Sequence, residues 1–130
     1  MGWYIGKTLK DCSFDEAIEK VTTALKSEGF GVLTNIDMKA TLKDKLNVDI
    51  NKYKILGACN PPFAYKALKA EDKIGAMLPC NVVVKEKDNG EIEVAAINPI
   101  ESMTAVKNED LEAIAKEISQ KLENVVNNLN

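Results

Sequence analysis

Two Cys-Asn pairs hold the side chains in this sequence best suited to chemistry. Cys59-Asn60 closes the run from Tyr53 and leads into Pro61-Pro62, and Cys80-Asn81 follows Leu78-Pro79 and opens Val82-Val83-Val84. A thiol can serve as nucleophile, redox partner or soft-metal ligand, each time through its thiolate. Cys59 stands just before a helix start, where the partial positive charge favours that thiolate. The residue equally fits a small buried hydrophobe, because free cysteine is among the most buried residue types. Cys80 lies in an apolar strand, where structural burial is the plainer reading. Asn81 faces the opposite side of that valine-rich strand. Asparagine is depleted in strands, so this one either ties a neighbouring loop or meets a ligand. Asn60 reads as a helix cap, and Cys12, ahead of another cap, as incidental.

The rest of the chain limits what these thiols can do. It has 130 residues and no histidine, so the usual base for a cysteine nucleophile is missing. Two thiolates are too few for a closed zinc site, and Cu(I) or Zn(II) would need further ligands from a second subunit. The spacing is not Cys-x-x-Cys. No Gly-x-Gly-x-x-Gly or Walker sequence forms a phosphate cradle, and no carboxylate pair stands out. No cofactor and no metal site is predicted, and no catalytic residue is assigned.

The elements that position these residues follow from periodicity. Trp3 to Leu9 reads as a first strand. Ser13 and Glu16 form a capping box, and Phe14, Ala17, Ile18, Val21 and Leu25 form the buried stripe of a helix that Gly29 stops. Phe30 to Ile36 reads as a second strand. Met38, Leu42 and Leu46 predict a short amphipathic helix, and Tyr53 to Cys59 a third strand. Asn60 and Pro61 then open a helix carrying Phe63, Ala64, Ala67 and Leu68. Met77 to Lys87 and Glu91 to Ile97 predict a hairpin. A two-residue turn at Asn89-Gly90 would set Glu86 against Glu93. A three-residue loop with Gly90 left-handed instead pairs Lys85 with Glu93, Val84 with Val94 and Val82 with Ala96. That register puts Cys80 on the face of Val82 and Val84, and leaves Val83, Ala95 and Ile97 on the other. Asn108 caps a last helix with its stripe at Leu111, Ile114, Ile118, Leu122, Val125 and Leu129. The order predicts an α+β domain, one unit over 1–130, with a mostly antiparallel sheet and helices on one face.

Bulk properties exclude some functions. The net charge of −3 argues against a nucleic-acid partner, which wants a basic field. No apolar run reaches the ~18 residues that span a bilayer, so no membrane association is expected. The start at Met1-Gly2 shows neither a signal peptide nor a myristoylation pattern, because Gly6 stands where Ser or Thr would be. These features predict a cytoplasmic protein, in which the three cysteines are free thiols.

Four segments together resemble the DUF302 family, a bacterial and archaeal domain of unknown function. They are Tyr53 through Pro61, Ala64-Tyr65-Lys66-Ala67-Leu68, Ile74-Gly75, and Leu78 through Val84. The resemblance spans essentially the whole chain. It implies a fold similar to the TATA-binding-protein-like class: a curved antiparallel sheet with two main helices on its convex side (β-α-β4-α), plus short helices. It implies a homodimer but no DNA binding, since fold alone does not carry function, and no established reaction. Some relatives have histidine where Tyr65 stands.

The sequence thus predicts a non-enzymatic homodimeric module that binds a small, partly apolar ligand. Cys59, Asn60, Tyr65, Cys80 and Asn81 are its candidate ligand-binding residues. Phe63, Tyr65 and Met77 are expected near the pocket, with Val83, Ala95 and Ile97 on a face open to a partner or ligand. The alternative is a thiol-dependent redox or soft-metal protein using Cys59 and Cys80.

Overall fold

The computed structural model describes residues 2–130. Met1, part of the segment read for a leader or lipid anchor, lies outside the described residues. β1 (Tyr4–Leu9) leads to α1 (Phe14–Ser27), then β2 (Gly31–Asp37), α2 (Met38–Leu46) and β3 (Tyr53–Cys59). α3 (Pro61–Ala70) and a 3-10 helix (Asp72–Met77) precede the hairpin of β4 (Cys80–Glu86) and β5 (Ile92–Ile97). α4 (Pro99–Ser102), a 3-10 turn (Thr104–Val106) and α5 (Glu109–Asn127) complete the chain. The β-α-β4-α order is therefore observed, with short helices inserted between its members.

The five strands form one antiparallel sheet in the order β1-β5-β4-β3-β2. The hairpin adopts the three-residue loop: Lys87 N–H donates to the Glu91 carbonyl at 2.8 Å, and Gly90 has φ +87°. Val82 faces Ala96, Val84 faces Val94 and Lys85 faces Glu93, as the charge argument requires. A bulge between Val32 and Thr34 interrupts the β2–β3 ladder.

α1 starts from the capping box: Glu16 N–H donates to Ser13 Oγ at 3.1 Å, and Ser13 N–H to Glu16 Oε1 at 3.0 Å. Gly29, at φ +86°, ends the turn that follows it. α2 forms where the spacing of Met38, Leu42 and Leu46 places it, but none of its residues is buried and Leu46 is fully on the surface. It is held instead by its cap, Asp37 Oδ1 accepting from Ala40 N–H at 2.9 Å. The hairpin's first strand begins at Cys80 rather than near Met77, because Asp72–Met77 winds into the 3-10 helix.

The apolar residues gather in two clusters. The larger lies between one sheet face and the stripes of α1 and α5, and contains Leu56, Ala58, Cys80, Val82, Val84 and Val94. The smaller comprises Ala67, Ile74, Met103, Leu111 and Ala115, and lies where α3, the 3-10 helix and the segment after α4 meet the first half of α5. Lys7 reaches across to the last turn of α5, its Nζ donating to the carbonyls of Asn127 and Leu129. A cation there complements the negative end of the helix dipole. No helix among the described residues is long and apolar enough to cross a membrane.

Candidate functional site

Between the two clusters lies a cavity of about 300 Å³. Its floor is the end of β3 and the start of β4, with Ala58, Cys59 and Cys80; α3 supplies Phe63, Ala64 and Ala67, and α5 supplies Ile114, Ala115 and Ile118. Leu78, Pro79 and Met103 close the side toward the smaller cluster. Leu33 and Leu68, both exposed, line it too and mark where it opens. No charged side chain lines this space. The volume is at the low end of what small-molecule sites occupy.

Two packing details fix the floor. A Cβ at Gly57 would come within 2.2 Å of Thr34 Oγ1 and 2.7 Å of Pro79 Cγ, so only glycine lets these side chains close over β3. The Leu78–Pro79 peptide is cis, and both residues line the cavity. Around the rim, the ring of Phe63 lies 5.2 Å from Lys66 Nζ and 5.8 Å from Lys121 Nζ. Cations over an aromatic face hold that ring in place.

The thiols differ in environment. Cys80 is buried, and Cys59 is half-buried. Burial foremost, and electrostatic repulsion from Cys59 after it, push the Cys80 thiol up to about 11. Desolvation penalises the charged form, so Cys80 behaves as a neutral apolar wall group near pH 7. Among the described residues no three of Cys, Asp and Glu gather as a metal ion would need.

A family model described as "Domain of unknown function DUF302" matches residues 5–129. The chain belongs to the DUF302 family. The crystal structure of an uncharacterized conserved protein DUF302 from Bacillus stearothermophilus superposes with a TM-score of 0.91 at 26% sequence identity, covering 100% of both chains. No curated protein matches the chain.

Within this DUF302 fold the two Cys-Asn segments run side by side, because β3 and β4 are neighbours and Ala58 pairs with Cys80. The cavity thereby collects Cys59, Asn60 and Cys80, together with Phe63. Tyr65 and Asn81 are not in its lining, and neither is Met77. Tyr65 is exposed on the outer side of α3, its ring 5.2 Å from Lys69 Nζ. Helical geometry separates it from Phe63, since residues two apart do not share a face. Asn81 is exposed on the sheet face away from the large cluster, opposite Gly57, as strict alternation along β4 demands. The loop tie considered for it is absent among the described residues; Asn60 makes that tie instead.

Asn60 occupies the N-cap position of α3 but does not cap with its side chain. An N-cap oxygen normally accepts from the second or third helical N–H, and here the second residue is Pro62, which has none. The side chain turns the other way: Nδ2 donates to the Glu28 carbonyl at 3.1 Å and packs against Gly29. It thus joins the end of α1 to the cavity wall. Pro99 and Met103 were not anticipated as lining residues. The signal available was the second Asn-Pro pair, Asn98-Pro99, which opens α4 as Asn60-Pro61 opens α3.

Proposed function

We propose that this DUF302 chain is a non-enzymatic, homodimeric module that binds a small, largely apolar ligand in the cavity between its two core clusters. The observation that carries this reading is an uncharged space of about 300 Å³ connected to the surface past Leu33 and Leu68. At about 30 Å³ per water-sized group, it has room for roughly ten non-hydrogen atoms. Concave apolar sites with a few polar groups are the usual form of small-molecule sites. In the cytosol, the compartment we assign, Cys59 and Cys80 would remain reduced.

The second copy would lie against the sheet face opposite α1 and α5. There Gly6, Ala95, Val83, Ile55 and Ile36 are register partners in one row across all five strands. Lys85 and Glu93 border this row as a pair 3.9 Å apart. A two-fold pairing would bury the row against itself, as isologous interfaces do.

The thiol-dependent alternative draws on the shared cavity of Cys59 and Cys80. The high pKa of Cys80 weighs against it, since both redox exchange and metal binding need thiolate. Mass spectrometry of an organic extract of purified protein tests the binding reading. Wild type should release a small apolar molecule in near-stoichiometric amount, and Ala115→Leu, which fills the cavity, should release little. Equal yields from both proteins would contradict it.

A further inference from the structure

Three asparagines stand at helix N-caps, and their side-chain carbonyls are not treated alike. Asn98 Oδ1 accepts from Ile100 N–H at 3.2 Å and Ser119 Oγ at 3.0 Å. Asn108 Oδ1 accepts from Asp110 N–H at 3.0 Å and Leu111 N–H at 3.2 Å. Asn60 is only 7% exposed, yet among the described residues its Oδ1 accepts from nothing; its one hydrogen bond is the Nδ2 donation to Glu28. No fully sealed side-chain oxygen or nitrogen among the described residues lacks a partner, so this oxygen is not fully sealed, and Asn60 is one of the residues lining the cavity. The donor beside it is also free. Ala64 N–H donates to the Asn60 carbonyl, Pro61 and Pro62 have no N–H, and Phe63 N–H makes no backbone or side-chain hydrogen bond with any described residue.

A carbonyl on a residue this buried has little access to water, so a donor brought by a ligand would complete its hydrogen bonding. Asn60 and Phe63 both line the uncharged cavity, and Asn60 Oδ1 and Phe63 N–H are an acceptor and a donor without a partner among the described residues. We infer that the ligand proposed above has a neutral head that both donates and accepts hydrogen bonds, a primary amide or an alcohol, on an apolar body. The head donates to Asn60 Oδ1 and accepts from Phe63 N–H, while the body lies along Ala67, Ala115 and Ile118. A carboxylate head would be favoured by the positive end of α3 but would bring no donor, setting its oxygens against the partially negative Asn60 oxygen. An ammonium head would find no counter-ion in the wall and would sit at the positive end of α3. The double proline has a role in this arrangement. Pro62 removes one of the two helical N–H groups that could cap the Asn60 oxygen, and the other, Phe63 N–H, makes no bond to it.

This inference rests on the binding reading, and calorimetric titration of the full chain separates the two. The probes are heptanamide, N,N-dimethylheptanamide, which accepts but cannot donate, and heptanoate at pH 7. Heptanamide should bind at least tenfold more tightly than either, and should shift the Phe63 amide resonance. Pro62→Ala restores a donor to the cap, so that residue 62 N–H takes the Asn60 oxygen. The variant should bind all three probes within about twofold of one another while the fold is kept. Equal affinity of wild type for heptanamide and its dimethyl form would overturn the head-group inference and leave apolar binding standing. So would undiminished discrimination by a folded Pro62→Ala. Failure of all three probes to bind would overturn both readings.

Discussion

At the residue scale, neighbours rather than residue type decide what each polar group near the cavity can do. Cys80 illustrates this. Its pKa is raised by burial, so the native protein holds a proton that the unfolded chain releases first. Stability from this group is therefore complete below the unfolded thiol's value and is lost as pH rises toward about 11. Between these limits each unit of pH should cost up to about 1.4 kcal/mol. Thermal unfolding of wild type and Cys80→Ala from pH 8 to 11 checks this: the difference between them should shrink with pH, and parallel curves would contradict it. Gly57 makes a second case. Any Cβ there collides with Thr34 and Pro79, so Gly57→Ala should destabilise by about 1–3 kcal/mol, the range for overpacking, as urea unfolding would report. A change of under half a kcal/mol would mean that the lid over β3 yields freely.

At the element scale, the candidate region is made of junctions. The strands and long helices were legible because each has a clear period: the α1 stripe, the Tyr53–Cys59 strand and the charge-set register of the β4–β5 hairpin all stand as read. The junctions were harder for physical reasons. Ile74 and Met103 sit in 3-10 turns or beside them, too short to show periodicity, yet they build the smaller cluster. Asn60 looked like a cap because Asn before Pro usually is one, and the second proline changed its partner. Asn81 lies on the far face of β4, as its alternation with Cys80 predicts, while the helix turn sets Tyr65 on the outer side of α3, away from the cysteines. The pairing of Cys59 with Cys80 in one cavity could be suspected from sequence but needed the β3–β4 adjacency. Filling the seam between clusters tests its emptiness. Ala115→Leu should keep or raise the midpoint of thermal unfolding, because added methylenes enter vacant space. A fall of more than about 1 kcal/mol would indicate a seam already packed to interior density.

At the scale of the whole molecule, the sheet divides labour between its faces. One carries the large cluster beneath α1 and α5, and the other carries the apolar row from Gly6 to Ile36. Assembly through that row should be sensitive to charge at its centre. Val83→Lys should convert the proposed dimer to a monomer in analytical ultracentrifugation without loss of secondary structure, and an unchanged sedimentation coefficient would contradict pairing through this row. The cavity belongs to the other side, so ligand binding should survive in that monomer. The central claim is that the uncharged space between the clusters is a binding site, and a methyl-resolved NMR titration with heptan-1-ol addresses it most directly. Saturable shifts confined to the methyls of Ala58, Ala67, Ala115 and Ile118, absent in Ala115→Leu, are the predicted result. Shifts that fail to saturate, or that fall instead on Val83 and Ala95, would contradict it.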